Sequence, residues 1–165
     1  MFNTNTYYGT DGSLSLSDVN GWADFSKYFG DSGAVGRVVN ISLGIATEVK
    51  EFHELGLRAP RELRAGNISI SGSVERAYIN GSMLKLMLGQ YAEAEEAAGF
   101  QIPTFNMKII LDNVRPPGDP GNSLLTVYGV IFDNWQFSLP EDSFVLEKLT
   151  FKARRISIKD NEVPS

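Results

Sequence analysis

Two alternating segments joined by a long charged connection restrict this chain more than any other feature. Val39, Ile41, Leu43, Ile45 and Val49 share one phase, and Asn40, Ser42, Ala46 and Glu48 share the other. That period of two belongs to a half-buried strand. The pattern returns where Ile68, Ile70, Val74 and Tyr78 alternate with Asn67, Ser69, Ser71, Ser73 and Glu75. Two such strands imply an antiparallel sheet with one apolar face and one face of short hydroxyls, amides and carboxylates. Between them runs Lys50 to Ala65, far longer than the few residues of an ordinary hairpin loop, and long loops inside compact domains are usually functional.

The other segments also read as β-structure. Asp11-Gly12 is a two-residue turn signal between Tyr7/Tyr8 and Leu14/Leu16. Trp22, Phe25, Tyr28 and Phe29 imply that residues 1–34 form an arm that packs against something. Asn80-Gly81 turns the chain, and Ser82 is placed to cap a short helix carrying Met83, Leu84, Leu86, Met87 and Leu88, which Gly89 weakens. Tyr91 to Ala98 has the composition for another turn or two of helix. Phe105, Met107, Ile109 and Leu111 then alternate with polar residues up to a turn-rich run at 116–121. A large hairpin closes the chain, with Leu125, Val127, Ile131, Trp135 and Phe137 on one face of its first arm. Val145, Leu149, Phe151 and Ala153 take one face of the second arm before the phase flips to Ile156 and Ile158, as in a strand that bulges or crosses between sheets. The expected fold is mainly β, an antiparallel sandwich or barrel with one short flanking helix.

At 165 residues the chain suits a single domain, 1–165, able to bury a core. With no cysteine, disulfides, thiolate metal sites and cysteine nucleophiles drop out together. The start of the chain lacks the basic and apolar regions of a secretory signal, and its longest apolar run is too short to span a bilayer, which implies a cytosolic product. A net charge of −5 argues against general affinity for nucleic acid.

Chemistry-bearing patterns are sparse. His53 stands among charges with no second histidine, the arrangement of a solvated loop residue. The group Glu93, Glu95 and Glu96 follows no metal-loop spacing and reads as the polar face of a helix. No phosphate-binding glycine loop or nucleophile elbow occurs, so catalytic residues, metal ligands and cofactors are all expected to be none. Arg58, Arg61 and Arg64 recur every third position beside Glu51, Glu54 and Glu62, which suits either a solvated loop or an interface where charge pairs fix register.

The succession Tyr7-Tyr8-Gly9-Thr10-Asp11-Gly12-Ser13-Leu14, Val35-Gly36-Arg37-Val38, Asn40-Ile41-Ser42-Leu43, Leu55-Gly56, Pro60-Arg61-Glu62-Leu63, Ser69-Ile70-Ser71-Gly72-Ser73-Val74 and Tyr78-Ile79, then a closing hairpin, resembles bacteriophage tail tube proteins. The resemblance covers nearly the whole chain as an order of elements. It implies a structural virion protein of the tail, assembled in the host cytoplasm, with six copies in a ring and rings stacked into a hollow tube. In that family four strands per subunit join across subunit boundaries into one barrel around the channel. On that basis Asn40, Ser42, Glu48, Asn67, Ser69, Ser71, Ser73 and Glu75 would line the lumen. Glu51, Glu54, Arg58, Arg61, Glu62 and Arg64, within the loop 50–65, would reach neighbouring subunits and the adjacent ring. The apolar faces would pack on the helix around Leu84 and Leu88 and on the second sheet. A ring of six would carry −30 (6 × −5), and any part of that charge facing inward would repel DNA as it passes unbound. The implied partners are further copies of the chain, a tape measure protein, a tube initiator or baseplate and, in contractile tails, a sheath. Tubes of contractile injection and secretion systems share the architecture and are the first alternative. A carbohydrate-binding β-sandwich is the second, and a sandwich-fold glycoside hydrolase, which needs two facing carboxylates, is the third.

Overall fold

The computed structural model describes residues 12–21, 25–89, 102–113 and 121–160. Expectations for the turn at Asp11, for Trp22, for a helix over Tyr91 to Ala98 and for the turn at 116–120 lie outside these residues. The described elements are β1 (Gly12–Asn20), α1 (Phe25–Phe29), β2 (Val38–Phe52), β3 (Glu62–Ala77), α2 (Ser82–Leu88), β4 (Thr104–Asn113), β5 (Gly121–Ser138), β6 (Leu146–Ala153) and β7 (Arg155–Asp160). All strand pairs are antiparallel, and they make one sheet curled into a half-barrel, the expected fold class. No described helix is long and apolar enough to cross a membrane.

Strand β5 organises this sheet by belonging to both of its halves. Residues 121–130 pair with β4, and 123–128 with β7, while 131–138 pair with β6. One half therefore runs β1-β4-β5-β7 and the other β2-β3-β6-β5. Two bulges let one strand serve both. Between Val127 and Val130 three residues of β5 span two of β4, with Gly129 at φ +63°, a left-handed conformation that costs glycine little. A second bulge falls between Phe132 and Asn134. The first shifts the apolar phase, so Val130 and Phe132 are buried and Ile131 turns outward, contrary to the single phase expected for this arm. The second restores it, and Trp135 packs on the core opposite Leu149. At Arg154 the chain leaves the β6 half and enters the β7 half, which is the crossing that the flip to Ile156 and Ile158 implied.

The core lies inside this curl. It joins Leu14 and Leu16 of β1, Phe105, Met107 and Ile109 of β4, Val74 of β3, Leu149 and Phe151 of β6, and Met83 and Leu86 of α2. Phe29 and Val35 enter it from the arm, and Lys85 of α2 donates to the Tyr28 hydroxyl at 2.9 Å, so the aromatic arm does pack on the body. Helix α2 buries Met83 and Leu86, one turn apart, and not Leu84 and Leu88. Ser82 is its first residue instead of its cap. The Asn80 side chain accepts from the Ser82 backbone N–H at 3.0 Å, because the Ser82 hydroxyl is held at 2.8 Å by Arg76.

Candidate assembly surfaces

The polar face of the β2-β3-β6-β5 half is built by register. Asn40 stands opposite Glu75, Ser42 opposite Ser73, Gly44 opposite Ser71 and Ala46 opposite Ser69. Strand β6 adds Lys148 beside Glu75, Thr150 beside Ser73 and Lys152 beside Ser71, and β5 adds Gln136 and Asn134. Thus Asn40, Ser42, Ser69, Ser71, Ser73 and Glu75 share one face, whose β2 and β3 positions carry mostly short side chains. Glu48 and Asn67 fall at the bulge between Thr47 and Val49, out of ladder register, with the Glu48 carboxylate over Gly66. This face is not acidic. Glu75 lies next to Lys148, Asp133 accepts from Thr150 at 2.6 Å, and Lys152 stands between Ser71 and Ile131, so two lysines accompany these two acids. Sequence reading missed Lys148 and Lys152 because their place on this face depends on pairing between β6 and β3.

Both long edges of this half are open among the described residues. Strand β2 pairs only with β3, and segment 131–138 of β5 pairs only with β6. An unpaired edge this long presents a row of backbone donors and acceptors to any other strand.

Beyond Ile70, the last β3 residue paired to β6, the β2–β3 pair continues alone as a ribbon. At about 3.3 Å per residue, its eight residues from Glu62 to Ser69 extend about 25 Å. Strand occupies Lys50–Phe52 and Glu62–Ala65, so the true connection is only 53–61, shorter than the loop 50–65 expected. Its tip turns through Gly56 at φ +89°, and the Arg61 N–H closes it on the Phe52 carbonyl at 2.8 Å. Arg61 pairs with Glu54 at 2.9 Å, Arg64 with Glu62 at 3.0 Å, and His53 lies 3.0 Å from Glu51. Arg58 makes no ion pair among the described residues.

The apolar face of the ribbon runs past everything that could cover it. Ile41 and Leu43 pack on the core, but Ile45, Val49, Leu63 and Ile68 are exposed, Leu63 at 61% and Ile68 at 67%. The alternation of Ile45, Val49 and Ile68 agrees with the sequence reading and their burial does not, since neither α2 nor the β1-β4 half reaches that far, and Leu63 belongs to strand where a loop was expected. Val39 is exposed for a different reason, because the bulge between Val38 and Asn40 turns Val38 to the core instead. At the opposite end of the same half, Tyr78 packs edge-on against Phe137, with ring centres 5.1 Å apart, and Leu139 and Phe144 stand 73% and 83% exposed around a turn carrying Glu141 and Asp142.

Two further groups complete the survey. An open cleft of about 540 Å³ lies where β1, β4 and β5 meet the crossing at Arg154. Its one acid, Asp18, accepts from Asn106 at 2.8 Å, and Arg155 lies 4.1 Å over the Tyr128 ring. Inside, Arg76 and Glu147 form a buried ion pair. The sequence signal for it was present, since Arg76 shares the inward phase of Ile70 and Val74, and Glu147 that of Leu149.

No family model matches this sequence, and no curated protein matches it. Solved structures do match the fold. A chain of the anti-feeding prophage baseplate superposes with a TM-score of 0.63 at 16% identity, covering 96% of this chain and 97% of that one. A chain of the sheath–tube complex of the extracellular contractile injection system PVC gives 0.62 at 12% identity, covering 94% and 93%. The SPP1 tail tube gives 0.58 at 12% identity, covering 94% and 80%. The chain has the fold found in tail tubes of phages and contractile injection systems.

Proposed function

We propose that this chain is a structural tube subunit of a phage tail or phage-like injection apparatus, without enzymatic activity. The observation that carries the reading is the β2-β3-β6-β5 half, with a polar face of short side chains and an open strand edge on each side. Six copies joined edge to edge through β2 and segment 131–138 of β5 close a barrel, which covers the β5 edge and about half of the β2 edge and turns the polar face into a channel lining. Asn40, Ser42, Ser69, Ser71, Ser73 and Glu75 then line the lumen, and the ribbon with Glu51, Glu54, Arg58, Arg61, Glu62 and Arg64 reaches neighbouring copies. Stacked rings form the tail tube within the virion or injection particle. A tape measure protein, an initiator or baseplate and a sheath are its expected partners.

The mixed charges of the polar face bear on the cargo. Two acids, Glu75 and Asp133, and two lysines, Lys148 and Lys152, give a wall that neither holds nor strongly repels phosphates, so protein passes as readily as DNA. That favours the injection-apparatus form of the reading as much as the phage form. A carbohydrate-binding module would present aromatic rings on its sheet face, whereas the ladder residues of this face from Asn40 to Ala46 and across β3, β6 and β5 are Ser, Asn, Thr, Gln, Lys, Glu, Gly and Ala with Leu146 and Ile131.

Negative-stain electron microscopy of the purified protein tests the proposal. Hollow rings or tubes with sixfold end views are expected, and a protein that stays monomeric on concentration and on addition of preformed tube ends would overturn it.

A further inference from the structure

The two exposed apolar surfaces lie at opposite ends of one sheet half, and their charges differ. Strand β3 runs from Glu62 at the ribbon tip to Ala77, which pairs with Leu146; Leu146 in turn pairs with Ser138. The tip and the turn 139–144 are thus separated by the full length of a 16-residue strand, about 50 Å. At the tip, Leu55 is wholly exposed beside Leu57, and Arg58 has no ion-pair partner among the described residues. At the far end, Phe144 and Leu139 flank Glu141 and Asp142, which likewise make no ion pair there, with Tyr78 and Phe137 forming the floor. One end offers apolar knobs and a free cation, and the other an aromatic bed with two free carboxylates.

We infer that the connection between β2 and β3 of one copy docks on the aromatic and acidic end of a second copy, with Leu55 and Leu57 against Tyr78, Phe137 and Phe144 and Arg58 facing Glu141 and Asp142. This rests on the tube reading and names the receiving surface for contacts between rings. The two patches differ, so the contact is heterologous, and because they lie along one axis it does not close on itself but propagates. Leu and aromatic side chains supply the desolvated centre of such a contact, and a charge pair at its rim fixes orientation. The interaction also accounts for two features that folding alone leaves idle: large apolar side chains held in water at both ends, and two adjacent acids that make no ion pair among the described residues.

The chain has no cysteine, which makes cross-linking clean. In the double variant Leu55→Cys/Phe144→Cys each copy carries one thiol at each end, both on exposed positions where substitution disturbs the fold little. Mild oxidation of assembled protein, followed by a denaturing non-reducing gel, is expected to give a ladder of covalent multimers well beyond the dimer, lost on reduction. Tubes that form yet run as monomers would overturn the receiving surface and leave the tube reading standing. Dimers from Leu55→Cys alone would overturn it too, since they mean tip-to-tip contact. Wild-type protein that never forms rings or tubes sinks the tube reading, and this inference with it. If the cysteine variant does not assemble, charge reversal decides. Arg58→Glu, and Glu141→Lys with Asp142→Lys, should each cause loss of tubes, and the combined triple variant should recover them; no recovery overturns the proposal.

Discussion

Arg76 and Glu147, 71 residues apart in the chain, meet inside the core, where the Arg76 Nε donates to the Glu147 carboxylate with both side chains almost wholly buried. Trp135 donates to the second carboxylate oxygen at 3.0 Å, and the Ser82 hydroxyl accepts from Arg76 at 2.8 Å. The pair ties β3, β6 and β5 to the start of α2. Breaking it from one side strands a charge in an apolar interior, which costs about 3–5 kcal/mol. Glu147→Leu should lose about that much in urea unfolding of the unassembled subunit. Arg76→Met combined with Glu147→Leu should regain most of it, because no buried charge is left unpaired. Full additivity of the two losses would show that the residues do not act as a pair.

Gly72 and Gly44 offer a matched contrast on neighbouring strands. A Cβ at Gly72 would meet the Ser42 carbonyl oxygen at 2.1 Å and Phe151 Cζ at 2.6 Å, whereas at Gly44 the nearest atom stands 3.9 Å away. Gly72→Ala should therefore cost about 1–3 kcal/mol through overpacking. Gly44→Ala should be neutral or gain up to about 1 kcal/mol by restricting the unfolded chain. Thermal unfolding of the two variants side by side checks the orientation of both strands.

Ser71 lies exposed between Gly44 and Lys152 on the polar face. Ser71→Leu should change stability by no more than about 0.5 kcal/mol, as for other open surface sites. A loss of several times that in chemical unfolding would mean that the face is misassigned.

Arg61 and Arg64 each pair with an acid of their own ribbon, with side chains 64% and 77% exposed. Such pairs contribute about 0–1 kcal/mol. Reversing both to Glu should leave the subunit folded by circular dichroism yet impair tube growth, since the ribbon would then be strongly acidic, with Lys50 and Arg58 its remaining Lys and Arg residues. Tubes of normal length from the double variant would remove the ribbon from the interface.

Alternation alone revealed most of the strands. Phe105, Met107 and Ile109 are buried as their spacing implied, and the flip after Ala153 marks the crossing between the two halves. Bulges were illegible because a single inserted residue shifts the phase with no mark in residue type, which is how Ile131 and Val39 came to face outward. Ile45, Val49 and Ile68 were misjudged for another reason. A row of apolar side chains looks the same whether its partner is the same chain or another one, so period two gives the face but not the cover. For the core pair, phase alone places Arg76 with Ile70 and Val74 and Glu147 with Leu149, but which charge meets which depends on the pairing of β3 with β6.

The two open edges have unequal lengths, and the mismatch governs when growth can stop. Strand β2 spans 15 residues, but the free side of β5 extends only from Ile131 to Ser138. In the proposed ring a neighbour would satisfy about half of the β2 edge, and the remainder would overhang the rim. Each completed layer would leave a crown of unmet hydrogen-bonding groups to recruit the next. Termination would then be an active event, requiring a different protein that fits the crown without offering one of its own.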